Sequence, residues 1–224
     1  HFRDKDHRHL VTSAGGWPVI PENEFHLSFR DGRLYDNWDW RNKLYCRLNS
    51  EPPETLSDYA QAVERSPEHP IVVHEIGQWC VYPNFNEIEK YTGVLKPKNF
   101  EIFRDFLKEK HLLHQAEDFL MASGKLQVLT YKEEIEANLR TKDYGGFQLL
   151  GIQDFPGQGT ALVGVVDPFW DPKPYVSAKA FRRFCAPIVP LARLKQFTYT
   201  SAEYFTAQIQ LSQFTTNAVE NAVV

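Results

Sequence analysis

Short apolar runs alternate along this chain with longer stretches in which apolar residues recur every three or four positions. Four runs predict β-strands: residues 9–14, 25–29, 70–73 and 145–152. The run at 70–73 is wholly apolar, which is typical of a parallel strand buried on both faces. Strands that alternate with helices indicate a parallel sheet covered by helices, an α/β fold.

The stretches between these strands carry the helical period. Apolar residues at i, i+3, i+4 and i+7 predict a short helix after residues 51–54: Leu56, Tyr59, Ala60 and Val63. Two further helices are predicted, one around residues 100–107 and one over residues 115–140 that Gly124 is expected to interrupt. The second helix carries charged residues that are expected on a solvated face: Lys132, Glu133, Glu134 and Glu136.

Residues 205–212 follow a different pattern, in which apolar and polar residues alternate strictly. This alternation predicts a strand with one buried side and one side facing solvent. We expect residues 1–187 to form the α/β part. Residues 188–224 are expected to begin a separate β-domain, a β-sandwich, after a linker at 187–190.

Composition narrows the function classes. With 42% hydrophobic and 24% charged residues the chain can bury a core, which excludes an intrinsically disordered protein. The formal net charge is −4 and the basic residues are scattered, so nucleic acid is not an expected partner. No run of about 18 apolar residues occurs, so no membrane span is predicted. Cys46, Cys80 and Cys185 have no metal-ligand spacing, and no metal or organic cofactor is implied.

Glu75 is the candidate catalytic residue. It follows the apolar strand at 70–73 and precedes a sharp turn, and active sites of parallel α/β folds lie at the carboxyl ends of the strands. A buried strand has no structural need for a carboxylate at its tip. The alternative is a carboxylate held in a salt bridge or capping a loop. His74 and Trp79, on either side of it, are candidate substrate-binding residues.

A second group of candidates follows the strand at 145–152. Gln153 and Asp154 stand at its carboxyl end, before a loop rich in Gly and Pro. The loop lacks the Lys-Ser or Lys-Thr of a phosphate-binding loop. It therefore predicts either a turn that binds another ligand or a turn with a purely structural role. Trp38 and Trp40 are candidate sugar-stacking surfaces, with burial in a core as the alternative.

Taken in order, these features resemble glycoside hydrolase family 2, the family of β-galactosidases, β-glucuronidases and β-mannosidases. HPIVVHEIGQW resembles the seventh barrel strand with its nucleophilic Glu, GGFQLLGIQDF the eighth strand, and HRHLVTSAGG and EFHLSF the fifth and sixth. VGVVDPFWDPKPYVSAKAFRRF is similar to the family's last barrel helix and the stretch before it, which a β-sandwich follows. One departure is that Ile152-Gln153-Asp154-Phe155 stands where the family commonly has Trp-Asp-Trp.

The resemblance implies strands five to eight of a (β/α)8 TIM barrel in a retaining glycosidase, with Glu75 as nucleophile. The implied substrate is an oligosaccharide or polysaccharide of the β-galactoside-like kind. In the family the acid/base Glu follows an Asn at the end of strand four, whereas Asn23-Glu24 here precedes a predicted strand. We therefore expect the acid/base upstream of His1 and no activity from the isolated chain. The resemblance alone implies a periplasmic or secreted bacterial protein.

The chain starts with His1, and Met121 is its only methionine, so we expect an excerpt or a processed product of a longer protein. A half barrel exposes strand edges, which the upstream half of the polypeptide or self-association would cover. Two other interpretations stay open. One is a non-catalytic carbohydrate-binding or scaffold module. The other is a complete enzyme with an open four-stranded sheet that uses Glu75 and Asp154 together.

Overall fold

The computed structural model describes residues 3–13, 20–28, 48, 51–159 and 161–218. The chain divides into two compact units, the first made of His1–His74, Glu133–Gln148 and Arg182–Val224, the second of Glu75–Lys132 and Leu149–Phe181. The main elements in chain order are β1 (His26–Ser28), α1 (Ala60–Glu64), β2 (Ile71–Ile76), a 3-10 helix (Phe85–Lys90), α2 (Lys98–Glu109), a 3-10 turn (Leu113–Gln115), α3 (Ala116–Leu139), β3 (Gly146–Leu149), a 3-10 turn (Pro156–Gln158), α4 (Ala178–Phe181), β4 (Ile188–Arg193) and β5 (Gln208–Gln213).

A three-stranded parallel sheet has the strand order β1-β2-β3. β1 pairs in parallel with the first half of β2. On the other side of β2, the amides of Gly145 and Leu150 donate to the carbonyls of Ile71 and Ile76, at 2.7 and 3.0 Å, so β3 runs in the same direction. The side chains that β2 buries almost completely are the β-branched ones that a central strand favours: Ile71, Val73 and Ile76.

Three of the four strands predicted for this sheet are confirmed, with changed bounds. The strand predicted at 25–29 is β1 as far as the described residues reach, and the one at 145–152 is the shorter β3. The strand at 70–73 is longer than predicted, because β2 continues through Glu75 to Ile76. The described residues form helices, a three-stranded parallel sheet and a two-stranded antiparallel sheet, while the α/β class and the (β/α)8 barrel stay predictions.

The strand predicted at 9–14 is wrong for its described part, residues 9–13, which form no strand. Side-chain acceptors, and one backbone bond in which Glu24 N donates to Val11 O at 2.9 Å, hold this segment without a β-ladder. The Glu24 carboxylate accepts from Val11 N and the Asn23 amide oxygen accepts from Ser13 N, both at 2.7 Å. An apolar run therefore takes an irregular path here, since its backbone groups find side-chain partners.

Helix α1 begins later than its apolar spacing predicts. Leu56 precedes it, and Tyr59 is its N-terminal flanking residue. Thr55 N donates to Leu194 O at 2.8 Å, and Tyr59 N donates to the Thr141 hydroxyl at 3.0 Å. These bonds to distant segments hold residues 55–59 outside the helix.

Helix α3 confirms the predicted helix at 115–140 but not its interruption, because α3 is continuous through Gly124. The solvated face predicted for this helix is also wrong. Residues 133–138 are all buried, Glu134 to 1% exposure, and Lys132 is half-buried. Glu133 pairs with Arg140, with 2.6 Å between Oε1 and Nη2. Charged residues are buried here because tertiary packing surrounds this half of the helix on every side, which no helical period reveals.

Residues 188–190 of the predicted linker at 187–190 belong to β4, which pairs antiparallel with β5. Ser212 is buried on the same side as the β4 residues Val189 and Leu191. The apolar β5 residues Ile209 and Leu211 are exposed, so the burial predicted for β5 is the reverse of the one observed. The division at residue 187 and the β-sandwich stay predictions.

Candidate active site

The backbone at the end of β2 turns through two left-handed residues. Glu75 has φ +57° and Gly77 has φ +82°. Glycine adopts this region freely, whereas a residue with a Cβ is disfavoured there by about 1–2 kcal/mol. Strained residues of this kind persist when their surroundings hold them, and they concentrate at functional sites.

The Glu75 side chain is exposed at the carboxyl end of the strand. Gln78 reaches back to it, and its Nε2 donates to the Glu75 carbonyl oxygen at 3.2 Å and to Oε2 at 3.3 Å. Ile76, the next residue, is fully buried and anchors the turn. The arrangement presents a carboxylate to solvent from a backbone that is fixed on one side by the sheet.

The turn leaves no room for a side chain at Gly77. A Cβ there would overlap the ring of Tyr131, a fully buried α3 residue. The Tyr131 hydroxyl donates to Val163 O at 2.7 Å, so the ring is held in that place. Gly77 is therefore required both by its positive φ and by the close approach of this ring.

The predicted pocket residues have different surroundings. His74 is half-buried, with its Nδ1 2.9 Å from Gln148 Oε1. Trp79 is half-buried, and its backbone oxygen accepts from Gln127 at 2.7 Å. Gln153 is half-buried and follows β3. The roles of these residues in substrate binding stay predictions.

Trp38 and Trp40 lie outside the described residues. Their predicted role as sugar-stacking surfaces therefore stays a prediction.

Asp154 occupies a buried ion pair. It is 1% exposed, and its Oδ2 lies 2.6 Å from the Nζ of Lys173, which is itself buried. Gly164 N donates to Oδ1 at 2.8 Å. Burial raises the pKa of Asp154 above its ordinary value, while the Lys173 charge opposes the rise. Both carboxylate oxygens are thus engaged within the protein.

Local backbone pairing explains how Asp154 meets Lys173. Asp154 N donates to Val166 O at 3.1 Å, and Lys173 N donates to Val165 O at 3.2 Å. The segments around residues 154 and 173 consequently flank the same short stretch of chain. Gly164 is also needed there, since a Cβ on it would overlap the backbone of residues 153 and 154.

Glu87, which the sequence did not single out, is a further buried titratable residue of this region. It is 3% exposed, and burial raises its pKa to about 7, with Lys173 acting in the opposite direction. Nearby, Lys90 Nζ lies 2.5 Å from Asp167 and 2.7 Å from Asp171. The 3-10 helix that carries Glu87 and Lys90 is distant in sequence from Asp167 and Asp171, so only the fold brings the two segments together.

The two carboxylates, Glu75 near the carboxyl end of β2 and Asp154 after β3, therefore suit different chemistry. The exposed Glu75 can reach a ligand from solvent and act as a nucleophile or a hydrogen-bond acceptor. Asp154 is paired with the buried Lys173 and has a structural role. Among the residues that the structure describes, no group of three or more His, Cys, Asp or Glu side chains is placed to hold a metal ion.

The chain matches no protein-family model, and no curated protein sequence matches it. Within the described parts of the chain, no helix is both long and apolar enough to cross a membrane.

Proposed function

We propose that this chain carries the nucleophile of a retaining glycoside hydrolase and that Glu75 is that nucleophile. The observation that supports this most is an exposed carboxylate on left-handed backbone at the carboxyl end of a parallel strand. The resemblance of HPIVVHEIGQW and GGFQLLGIQDF to two successive strands of glycoside hydrolase family 2 supports the same assignment. The proposal includes a TIM barrel in which β1, β2 and β3 are the sixth, seventh and eighth strands, followed by the start of a β-sandwich. The segment expected as the fifth strand forms no strand over residues 9–13.

In the proposed reaction a Glu75 oxygen attacks the anomeric carbon of a β-galactoside-like or polysaccharide-derived sugar. The bond to the glycosidic oxygen breaks, and that oxygen takes a proton from a second carboxyl group, about 5–5.5 Å from the carboxylate of Glu75. The resulting carboxylate then takes a proton from water, which attacks the anomeric carbon of the ester and releases Glu75. No metal or organic cofactor takes part in this proposal.

The second carboxylic acid is proposed to come from the upstream half of the same polypeptide. Asp154 fits this role poorly, since both of its oxygens are bound within the protein. We therefore expect the 224-residue chain by itself not to hydrolyse an aryl glycoside. A periplasmic or secreted bacterial enzyme is the setting that the resemblance implies.

Covalent trapping tests the assignment. A 2-deoxy-2-fluoro glycoside with a good leaving group is incubated with the full-length protein, and the labelled peptide is identified by mass spectrometry. We expect the label on Glu75, and none in Glu75→Gln, whose turnover of an aryl glycoside should fall by roughly 10⁴-fold or more. Glu89→Gln, which removes another exposed carboxylate, serves as the matched control and should label normally.

Two results would contradict the proposal. A label on another carboxylate would transfer the nucleophilic role to that residue. Carbohydrate binding without any label or turnover would favour a non-catalytic binding module, in which Glu75 accepts hydrogen bonds from sugar hydroxyls.

A further inference from the structure

The chain that follows Glu75 lies along one face of α3. We call the three α3 residues that contact it, Ser123, Gln127 and Tyr131, the stripe. Residues 77–82 form no helix or strand, so their backbone groups need partners from elsewhere. Residues four apart on a helix share a face, and three such residues of α3 contact this segment in reverse order: Tyr131, Gln127 and Ser123. The segment therefore runs antiparallel to α3 and is held about once per helical turn.

Gln127 is the centre of the stripe and has no exposed surface. Its Nε2 donates to Trp79 O at 2.7 Å and to Val163 O at 2.9 Å. Its Oε1 accepts from the Tyr175 hydroxyl at 2.7 Å. This bond orients the amide so that its nitrogen faces the two loops, the one with Trp79 and the one with Val163. One side chain thus ties the segment after Glu75 to the loop that contains Val163.

The contacts on either side of Gln127 have the same effect. The Ser123 hydroxyl accepts from Tyr82 N at 2.8 Å and donates to Phe119 O at 2.6 Å. At the other end of the stripe, the Tyr131 ring lies against Gly77. The segment in contact with the stripe therefore begins at Gly77, two residues after Glu75, and ends at Tyr82.

Gly124 makes room for this arrangement. A Cβ on Gly124 would overlap the ring of Tyr175, the residue whose hydroxyl orients Gln127. The two loops are also joined directly, since Val81 N donates to Leu162 O at 3.1 Å. A glycine in the middle of a helix weakens the helix by about 1 kcal/mol, and here it allows the close approach that the stripe requires.

We propose that Ser123, Gln127 and Tyr131 are positioning residues for Glu75. They restrain residues 77–82, which keeps Glu75 in its left-handed conformation and fixes the direction of its carboxylate. This inference rests on the proposed function, because it assigns the three residues to the orientation of the proposed nucleophile. Its geometric part, the restraint of the segment, is testable without any substrate.

Amide hydrogen exchange tests the restraint. Gln127→Leu removes both donors and the acceptor at nearly constant volume, and we expect exchange in residues 77–82 to rise by about tenfold or more. Thr130→Val is the matched control, since Thr130 is a buried α3 residue whose hydroxyl donates only to the Gln127 carbonyl within the helix. If Gln127→Leu does not fold, Ser123→Ala takes its place, with a smaller rise expected near Tyr82.

The rate of covalent trapping tests the positioning. In the full-length protein, Gln127→Leu should lower the maximal rate of labelling by a 2-deoxy-2-fluoro glycoside by about 100-fold, since displacing a reacting group by about 1 Å has an effect of this size. The concentration for half-maximal labelling should change by less than about threefold. A merely structural role would lower the folded fraction and leave the rate per folded molecule unchanged.

The outcomes separate the two proposals. Unchanged exchange in Gln127→Leu overturns the restraint. Faster exchange with an unchanged labelling rate overturns the positioning role. Faster exchange in a protein whose wild type is never labelled supports the restraint and rejects the glycosidase.

Discussion

Two turns of this protein begin in the same way and end in opposite environments. Each carries a carboxylate at or just after the carboxyl end of a strand of the parallel sheet, Glu75 in the last residues of β2 and Asp154 after β3. Glu75 is exposed, on left-handed backbone, whereas Asp154 is 1% exposed and paired with the buried Lys173. The position of a carboxylate after a strand therefore does not decide its role, because the role depends on what the following chain packs against it.

The two carboxylates also differ in how their replacement affects the stability of the fold. A buried ion pair strongly destabilises the fold when one partner is removed, since the other charge then stays buried alone. A strained exposed residue has the opposite property, because its replacement by a residue that tolerates positive φ, such as asparagine or glycine, relieves strain. The first arrangement is typical of a structural element and the second of a functional site.

The largest expected effect is the loss of the buried pair. Asp154→Asn leaves the Lys173 charge without its carboxylate, and we expect a decrease of about 3–5 kcal/mol in the free energy of unfolding. Glu75→Gln is the matched control, and we expect a change within about 0.5 kcal/mol because Glu75 is exposed. Urea unfolding measures both. Equal effects at the two positions would remove the contrast between the turns.

A smaller effect concerns pH and Glu87. Its pKa in the folded protein is raised from 4.5 to about 7, chiefly by burial, while the charges of Lys173, Lys90, Asp154 and Asp167 also act on it. A raised folded pKa means that the stabilisation from this group is complete below pH 4.5 and is lost as the pH rises towards 7. At about 1.4 kcal/mol per pKa unit, the loss is at most about 3–4 kcal/mol.

The variant Glu87→Gln tests this dependence, because it should flatten the fall in unfolding free energy between pH 4.5 and 7. Glu89→Gln, in the same 3-10 helix but exposed, should leave the profile unchanged. The measurement is a series of urea unfolding curves at different pH. A profile that is equally steep in Glu87→Gln and in the wild type would exclude Glu87 as its cause.

The smallest expected effect is the relief of strain at Glu75. Asparagine tolerates the left-handed region better than other residues with a Cβ, so Glu75→Asn should raise the free energy of unfolding by up to about 1 kcal/mol. For a chain of this size that corresponds to a rise of about 2–4 °C in Tm. Glu75→Ala keeps the strain and should show no such gain. A loss of stability in Glu75→Asn would mean that the turn is not strained.

The pattern of apolar residues predicted much of the α/β part. β2 follows from the apolar run at 70–73, and α2 and α3 follow from apolar residues at helical spacing. The predictions of β2 and α2 succeed because a buried strand and an amphipathic helix have local periods that the sequence displays, whereas the second half of α3 is buried on every side. The position of Glu75 at a strand's carboxyl end is predictable for the same reason.

Other features depend on residues far apart in the chain. Glu134 and Glu136 carry the charge of a solvated face and yet are buried, and Ile209 and Leu211 have the period of a buried side and yet are exposed. In the same way, nothing in the sequence around Asp154 indicates its pairing with Lys173. A local pattern reports what a segment is able to bury, whereas burial itself depends on which segments pack against it.

The same distinction between local pattern and tertiary packing applies to Glu75. The sequence by itself determined that a carboxylate follows an apolar strand and precedes a turn, because the order of residues fixes both. Only the tertiary structure decided that this carboxylate is exposed and its backbone left-handed, and that the α3 stripe lies beneath the chain that follows. The physical reason is that the restraint on the turn comes from Gln127 and Tyr131, which lie about fifty residues further along the chain and reach it only once the protein has folded.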